Sequence, residues 1–106
     1  MATSVVAYPE ARAAFARKRR EGTLIGEAYR AALGDFEKDW ARYSAIEVTG
    51  SVARSAGDLA EKHALRGFDA IHLASALELQ ARLQTPVTFS SADVRLMAAA
   101  QAEGLQ

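Results

Sequence analysis

Three short runs, Ser4–Tyr8 (SVVAY), Ala45–Thr49 (AIEVT) and Pro86–Ser90 (PVTFS), are rich in β-branched or apolar residues and lie between longer stretches whose apolar residues recur at helical spacing. Strand and helix alternating along a chain is the pattern of an α/β fold, because parallel neighbours in a sheet must be joined by crossovers, usually helical. The unbroken SVVAY run suits a strand buried on both faces, with Pro9 expected to end it. A first helix is expected over Glu10–Arg20, with Gly22 and Thr23 as its stop and the next cap. The stretch 24–43 reads as two short helices or one kinked helix, because Gly26 and Gly34 interrupt the stripe of Leu24, Ala28, Phe36 and Trp40. A helix opening at Gly50 and Ser51 carries the stripe Val52, Ala56, Leu59, Ala60 and His63, with His63 expected at the surface. The next helix is expected to be capped by Asp69 and to run to about Arg82, with Phe68 and Leu73 spaced as a hydrophobic staple. A last alanine-rich helix follows the sequence Ser-Ser-Ala-Asp and is ended by Gly104.

A chain of 106 residues has room for one modest core, so a single domain over 1–106 is expected. Thirteen basic and thirteen acidic residues cancel, which leaves the whole molecule without the strong positive field of a generic nucleic-acid binder. Any polyanion site has to be local. The absence of cysteine excludes disulfides, a thiolate nucleophile and cysteine-ligated zinc. No apolar run approaches the roughly 18 residues of a membrane span, so a soluble, cytoplasmic protein with no membrane partner is expected.

In open parallel sheets ligands bind beyond the carboxyl ends of the strands, which directs attention to acidic residues just after strand-like runs. Glu10 follows SVVAY, Asp93 follows PVTFS, and Asp69 heads a helix that the same fold can aim at that edge. Clustered carboxylates repel one another, and a hard divalent cation, Mg²⁺ or Mn²⁺, is the ordinary reason for them to coexist. Each also has a plainer reading: Asp69 and Asp93 as helix caps, and Glu10 as a partner of the first helix dipole. His72 reads as a packing or hydrogen-bonding residue, since hard cations prefer oxygen. The basic run Arg17, Lys18, Arg19, Arg20, with Arg12 upstream, is suited to RNA phosphates, or equally to the C-terminal end of its own helix. Trp40 and Tyr43 sit at helical spacing beside Phe36 and read as core.

Taken together, the segments TSVVAYPEARAAFARKRREG, FEKDW, LRGFDAIHLASALEL and FSSADVRLMAAAQAEGL resemble the PIN-domain family, in particular VapC toxins of bacterial toxin-antitoxin pairs. The resemblance covers nearly the whole chain. It implies a PIN-like three-layer α/β sandwich and a metal-dependent endoribonuclease, in which acidic side chains hold Mg²⁺ or Mn²⁺ and an activated water attacks an RNA phosphodiester. It also implies RNA as substrate and an antitoxin protein as partner. On this resemblance Glu10, Asp69 and Asp93 match the family carboxylates, and Ser91 matches the hydroxyl residue two positions before the last of them. His72 belongs to the motif without a catalytic role.

The chain departs from the family pattern at its start. Members begin with an apolar strand ending in an aspartate, whereas this sequence opens at what corresponds to the second strand, and the short closing strand is not expected after Gly104. A truncated domain, lacking the usual first, central strand, is therefore expected. Its unpaired neighbours would be covered by a second copy in a homodimer, by a rearranged sheet or by further chain. Loss of the first aspartate is expected to impair activity, and the alternative reading is a catalytically inactive PIN-like remnant serving as a dimerisation or antitoxin-binding module.

Overall fold

A computed structural model describes residues 2–106, apart from the side chain of Ser44. The order is β1 (Ala2–Ser4), α1 (Ala7–Arg20), α2 (Gly26–Trp40), β2 (Ser44–Ile46), α3 (Gly50–His63), α4 (Gly67–Leu83) and α5 (Val94–Ala102). The two strands form a small parallel sheet, so the α/β class holds with five helices. The chain divides into two compact units, 1–45 and 46–106.

In the first unit, the strand expected over Ser4–Tyr8 ends at Ser4, where the Val6 amide donates to the Ser4 hydroxyl at 3.4 Å and the chain turns. The helix then starts at Ala7, three residues before the expected Glu10. Pro9 falls in the first helical turn, where its missing N–H costs nothing because amides there have no intrahelical acceptor. A residue read as a strand terminator is thus a helix starter. Gly22, at a φ of +79°, ends α1 as expected. α2 is one helix and passes through Gly34. What offsets the glycine is an aromatic cluster: Phe36 meets Tyr8 at 5.7 Å and Phe15 at 5.6 Å between centroids, while Trp40 meets Tyr8 at 5.3 Å and Tyr43 at 6.2 Å. Trp40 and Tyr43 therefore pack as expected, although no residue of α1 or α2 is fully buried.

The second unit holds the core. Val52, Ala56 and Leu59 of α3 pack with Ala70, Leu73 and Ala74 of α4, Leu96, Ala99 and Ala100 of α5, and Leu105. Thr49, expected as the end of a strand, is instead the N-cap of α3, its hydroxyl accepting from the Val52 amide at 3.2 Å. α3 ends at Ala64, in the left-handed region at φ 54° and ψ 45°, and two residues later α4 begins. α4 starts at Gly67 with Arg66 in the cap position, so Asp69 is the third helical residue rather than the cap. Phe68 is exposed while Leu73 is fully buried, and no staple forms between them.

Residues 86–90 are extended but do not form a strand of the sheet. Their exposure alternates, with Val87 and Phe89 packed on the core. The Phe89 amide donates to the Gln106 carbonyl at 2.8 Å, and the Gln106 amide donates to the Val87 carbonyl at 3.2 Å. That exchange is the slanted hydrogen-bond pattern of parallel strands, made once. A third strand was expected here, but a single bridge does not make a strand. Gly104, at φ +94°, ends α5 and lets the Leu105 amide reach back to the Ala100 carbonyl at 3.0 Å, which seats Leu105 in the core.

Candidate active site

An open cleft of about 430 Å³ lies in the second unit, lined by Ala64, Leu65, Arg66, Asp69, Asp93, Val94 and Arg95. Its walls are the α3–α4 junction, the first turn of α4 and the first turn of α5. The tight turn at Ala64 sends α4 back along α3 and so presents Asp69 at the rim, with its side chain 29 % exposed. Asp69 has Arg66 as its ionic neighbour at a long 3.9 Å.

Asp93 enters from the other wall as the N-cap of α5: its Oδ1 accepts from the Leu96 amide at 3.1 Å. Ser91 acts on the same turn, its hydroxyl accepting from the Asp93 amide at 3.0 Å. Two side chains therefore fix the backbone that carries Asp93. The plain reading of Asp93 as a cap is correct, and the same residue lines the cleft. Arg95 ties the walls together by donating from Nη1 to the Ala64 carbonyl at 3.2 Å.

The remaining candidates lie elsewhere in the chain. Glu10 is in the first turn of α1, half-buried, in the first unit. Arg12 donates to the Tyr8 hydroxyl at 2.8 Å, the bond that most raises its pKa, and approaches Glu37 at 3.4 Å. Arg17 reaches Glu21 at 3.8 Å, and the Arg19 guanidinium lies 4.9 Å from the centre of the Tyr29 ring. Lys18 and Arg20 are exposed in the last turn of α1, where cations suit the helix dipole. His72 is half-buried on α4. Among the described residues, no group of three or more histidine, aspartate or glutamate side chains is gathered closely enough to hold a metal ion.

Three features went unnoticed in the sequence. Arg66 and Arg95 line the cleft, a role visible only as their spacing from the two aspartates, three before one and two after the other. His63, expected at the surface, is 15 % exposed and its Nε2 lies 2.8 Å from Glu103. Lys62 donates to the same carboxylate oxygen at 2.7 Å. These bonds, that from Lys62 first and that from His63 second, hold the Glu103 carboxyl below its ordinary range. The end of α5 is thereby anchored to the end of α3, close in sequence to the junction that forms the cleft wall.

Asp69 and Asp93, which the PIN resemblance matched to family carboxylates, both line this cleft. Comparison with characterised proteins gives the class a name. The chain is 48 % identical over 75 residues to "Ribonuclease VapC45" of Mycobacterium tuberculosis strain CDC 1551 / Oshkosh, and equally to "Ribonuclease VapC49" of strain ATCC 25618 / H37Rv. The chain is therefore VapC-like. The matched residues are 71 % of this chain and 52 % of each relative, so it spans about half the length of the curated proteins it matches. No family model matches the sequence. No solved structure matches it either.

Proposed function

We propose that this chain contributes to a metal-dependent endoribonuclease of the PIN, VapC-toxin type, folded as a single PIN-like three-layer domain, with RNA as substrate and an antitoxin protein as partner. The observation that carries the reading is the pairing of Asp69 and Asp93 on one cleft, within a chain that shares 48 % identity with two ribonucleases. The donor set is consistent with a hard cation: two carboxylates with a hydroxyl beside one of them, where Mg²⁺ commonly takes one or two carboxylates and keeps several waters. Asp69 and Asp93 are the proposed holders of Mg²⁺ or Mn²⁺; Glu10 is proposed as a catalytic and metal-binding carboxylate on the family resemblance alone. When bound, such an ion supplies Lewis acidity toward a phosphodiester and lowers the pKa of water.

The work assigned to the chain itself is positional. Ser91 fixes the turn before α5 and so the direction of Asp93, and the first turn of α4 does the same for Asp69. The helix starts add partial positive charge where a phosphate would sit. Arg12, Arg17, Lys18, Arg19 and Arg20 are proposed as a weaker RNA-contacting face, and homodimerisation as the means of covering exposed sheet edges. No helix among the described residues is long and apolar enough to cross a membrane.

The test uses purified protein and single-stranded RNA with Mn²⁺ or Mg²⁺. Cleavage that is abolished by EDTA and by Asp69→Asn supports the enzyme. RNA left intact at every metal concentration, by a protein whose circular dichroism shows it folded, refutes catalysis by this chain.

A further inference from the structure

We infer that Arg66 and Arg95 form a two-pronged clamp for an RNA backbone phosphate in the cleft that carries Asp69 and Asp93. This deepens the nuclease reading and rests on it for the choice of RNA. The two guanidinium groups enter from opposite walls, Arg66 at the cap position of α4 and Arg95 in the first turn of α5. Among the described residues, neither is consumed by an internal ion pair of ordinary strength. Arg66 has a side chain 89 % exposed and stands 3.9 Å from Asp69, too long for a hydrogen bond. Arg95 gives one N–H to the Ala64 carbonyl at 3.2 Å. That bond engages one of the five donors that a guanidinium carries. A solvated arginine gains little from such a position unless an anion comes to it, and a fork of parallel donors matches phosphate geometry in a way an ammonium does not.

The surroundings favour the same ligand. Both arginines sit where a helix begins, so the backbone amides and the side chains point positive charge at the same space. Val94 lies between Asp93 and Arg95, lines the cleft and is 84 % exposed, an apolar rim suited to the sugar or base flanking a phosphate. The basic run of α1 differs: Arg12, Arg17 and Arg19 are engaged with Tyr8, Glu21 and Tyr29. The clamp residues are positioning residues, and the chemistry assigned to the carboxylates does not pass through them.

The experiment measures binding of a fluorescent single-stranded RNA oligomer by anisotropy in EDTA, where cleavage is suppressed, for wild type, Arg66→Gln, Arg66→Lys, Arg95→Gln and the control Arg54→Gln on the exposed face of α3. Each glutamine variant at the clamp should weaken binding about tenfold, and should lower the slope of log affinity against log salt by about 0.7. Arg66→Lys should keep the salt slope and lose part of the affinity, because it retains the charge without the fork. Arg54→Gln should change neither. Because the Arg66 side chain is 89 % exposed and stands 3.9 Å from its ionic neighbour Asp69, its variant stays interpretable even if Arg95→Gln loosens the α5 wall. Unchanged affinity and slope in Arg66→Gln, or no RNA binding by wild type, overturns the clamp. Cleavage with Mn²⁺ separates the two readings: intact cleavage with arginine-independent binding removes the clamp and leaves the nuclease, while arginine-dependent binding without cleavage leaves the clamp and removes the nuclease.

Discussion

Asp93 caps α5 and is the proposed holder of a metal ion, and a pair of substitutions separates the two roles. Asparagine keeps an oxygen that can accept from the Leu96 amide, as Oδ1 does at 3.1 Å, and it caps helices about as well as aspartate. Asp93→Asn should therefore lose only the attraction between a full negative charge and the start of α5, about 0.3 to 1 kcal/mol. Part of that is offset, because two carboxylates on one cleft repel when no cation is present. Asp93→Ala removes the acceptor as well and should cost about 1 kcal/mol, up to about 2. In a chain of this size each kcal/mol moves the thermal midpoint by about 4 to 8 °C. Without metal, the expected order in a circular-dichroism melt is wild type close to Asp93→Asn, with Asp93→Ala about 4 to 15 °C lower. Adding Mn²⁺ at a hundredfold excess over its dissociation constant should stabilise wild type by about 2.7 kcal/mol, since the ion binds the folded state. Both variants should lose most of that gain. An equal Mn²⁺-induced shift in wild type, Asp93→Asn and Asp93→Ala would show that Asp93 is a cap and nothing more.

Further outcomes concern the frame that holds the cleft. Leu73 is fully buried at the centre of the second unit's core, and Leu73→Ala should cost about 3 to 4 kcal/mol in urea unfolding at 25 °C; a loss under about 1 kcal/mol would mean that the core lies elsewhere. Thr49→Ala should lose about 1 kcal/mol with the bond to the Val52 amide, while Thr49→Ser should be nearly silent; equal losses in both would refute the capping role. Glu103 has a depressed pKa relative to its ordinary 4.5, so its contribution to stability is present above that value and disappears as pH falls through the lower folded one. Unfolding midpoints of wild type and Glu103→Gln, separate at about pH 6, should converge as the pH is lowered toward about 2. A gap that stays constant over that range would assign the difference to packing instead.

How far the sequence could be read depends on which signal each segment carries. The stripe Val52, Ala56, Leu59 located α3 and its buried face, because a helix with one apolar face has only one way to turn it. The SVVAY run misled, since β-branched residues argue for a strand only where pairing partners exist, and the Ser4 hydroxyl with Pro9 offers the backbone a helical start instead. At residues 86–90 the strand-like composition was legible, whereas the extent of pairing was not, because pairing belongs to the partner segment at Gln106. Asp69 and Asp93, both of which line the cleft, were singled out by chemistry and motif. Arg66 and Arg95 were not, because an arginine gains meaning only when the fold brings a second charge beside it. The burial of His63 was hidden for the same reason: Glu103, forty residues away, is what makes it a partner rather than a surface residue.

The charges on the cleft constrain what can bind and in what order. Asp69 and Asp93 contribute two negative charges, and Arg66 and Arg95 two positive ones, so the lining is formally neutral. A phosphate alone meets two carboxylates that repel it, and a divalent cation alone meets two guanidinium groups and two helix starts that do the same. Together they cancel each other's unfavourable partners. Binding must then be mutually reinforcing, and linkage requires the factor to be the same in both directions. A nucleoside 5′-monophosphate tests this, because it offers a phosphate with no internucleotide bond to cleave. Calorimetry should find its affinity raised about 5- to 100-fold by saturating Mn²⁺, and the affinity for Mn²⁺ raised by an equal factor at saturating nucleotide. Arg66→Gln should reduce that factor while leaving Mn²⁺ binding in the absence of nucleotide as strong or stronger, since one repelling charge is gone. Independent binding of the two ligands would mean that the carboxylates and the arginines of this cleft do not act on a shared site.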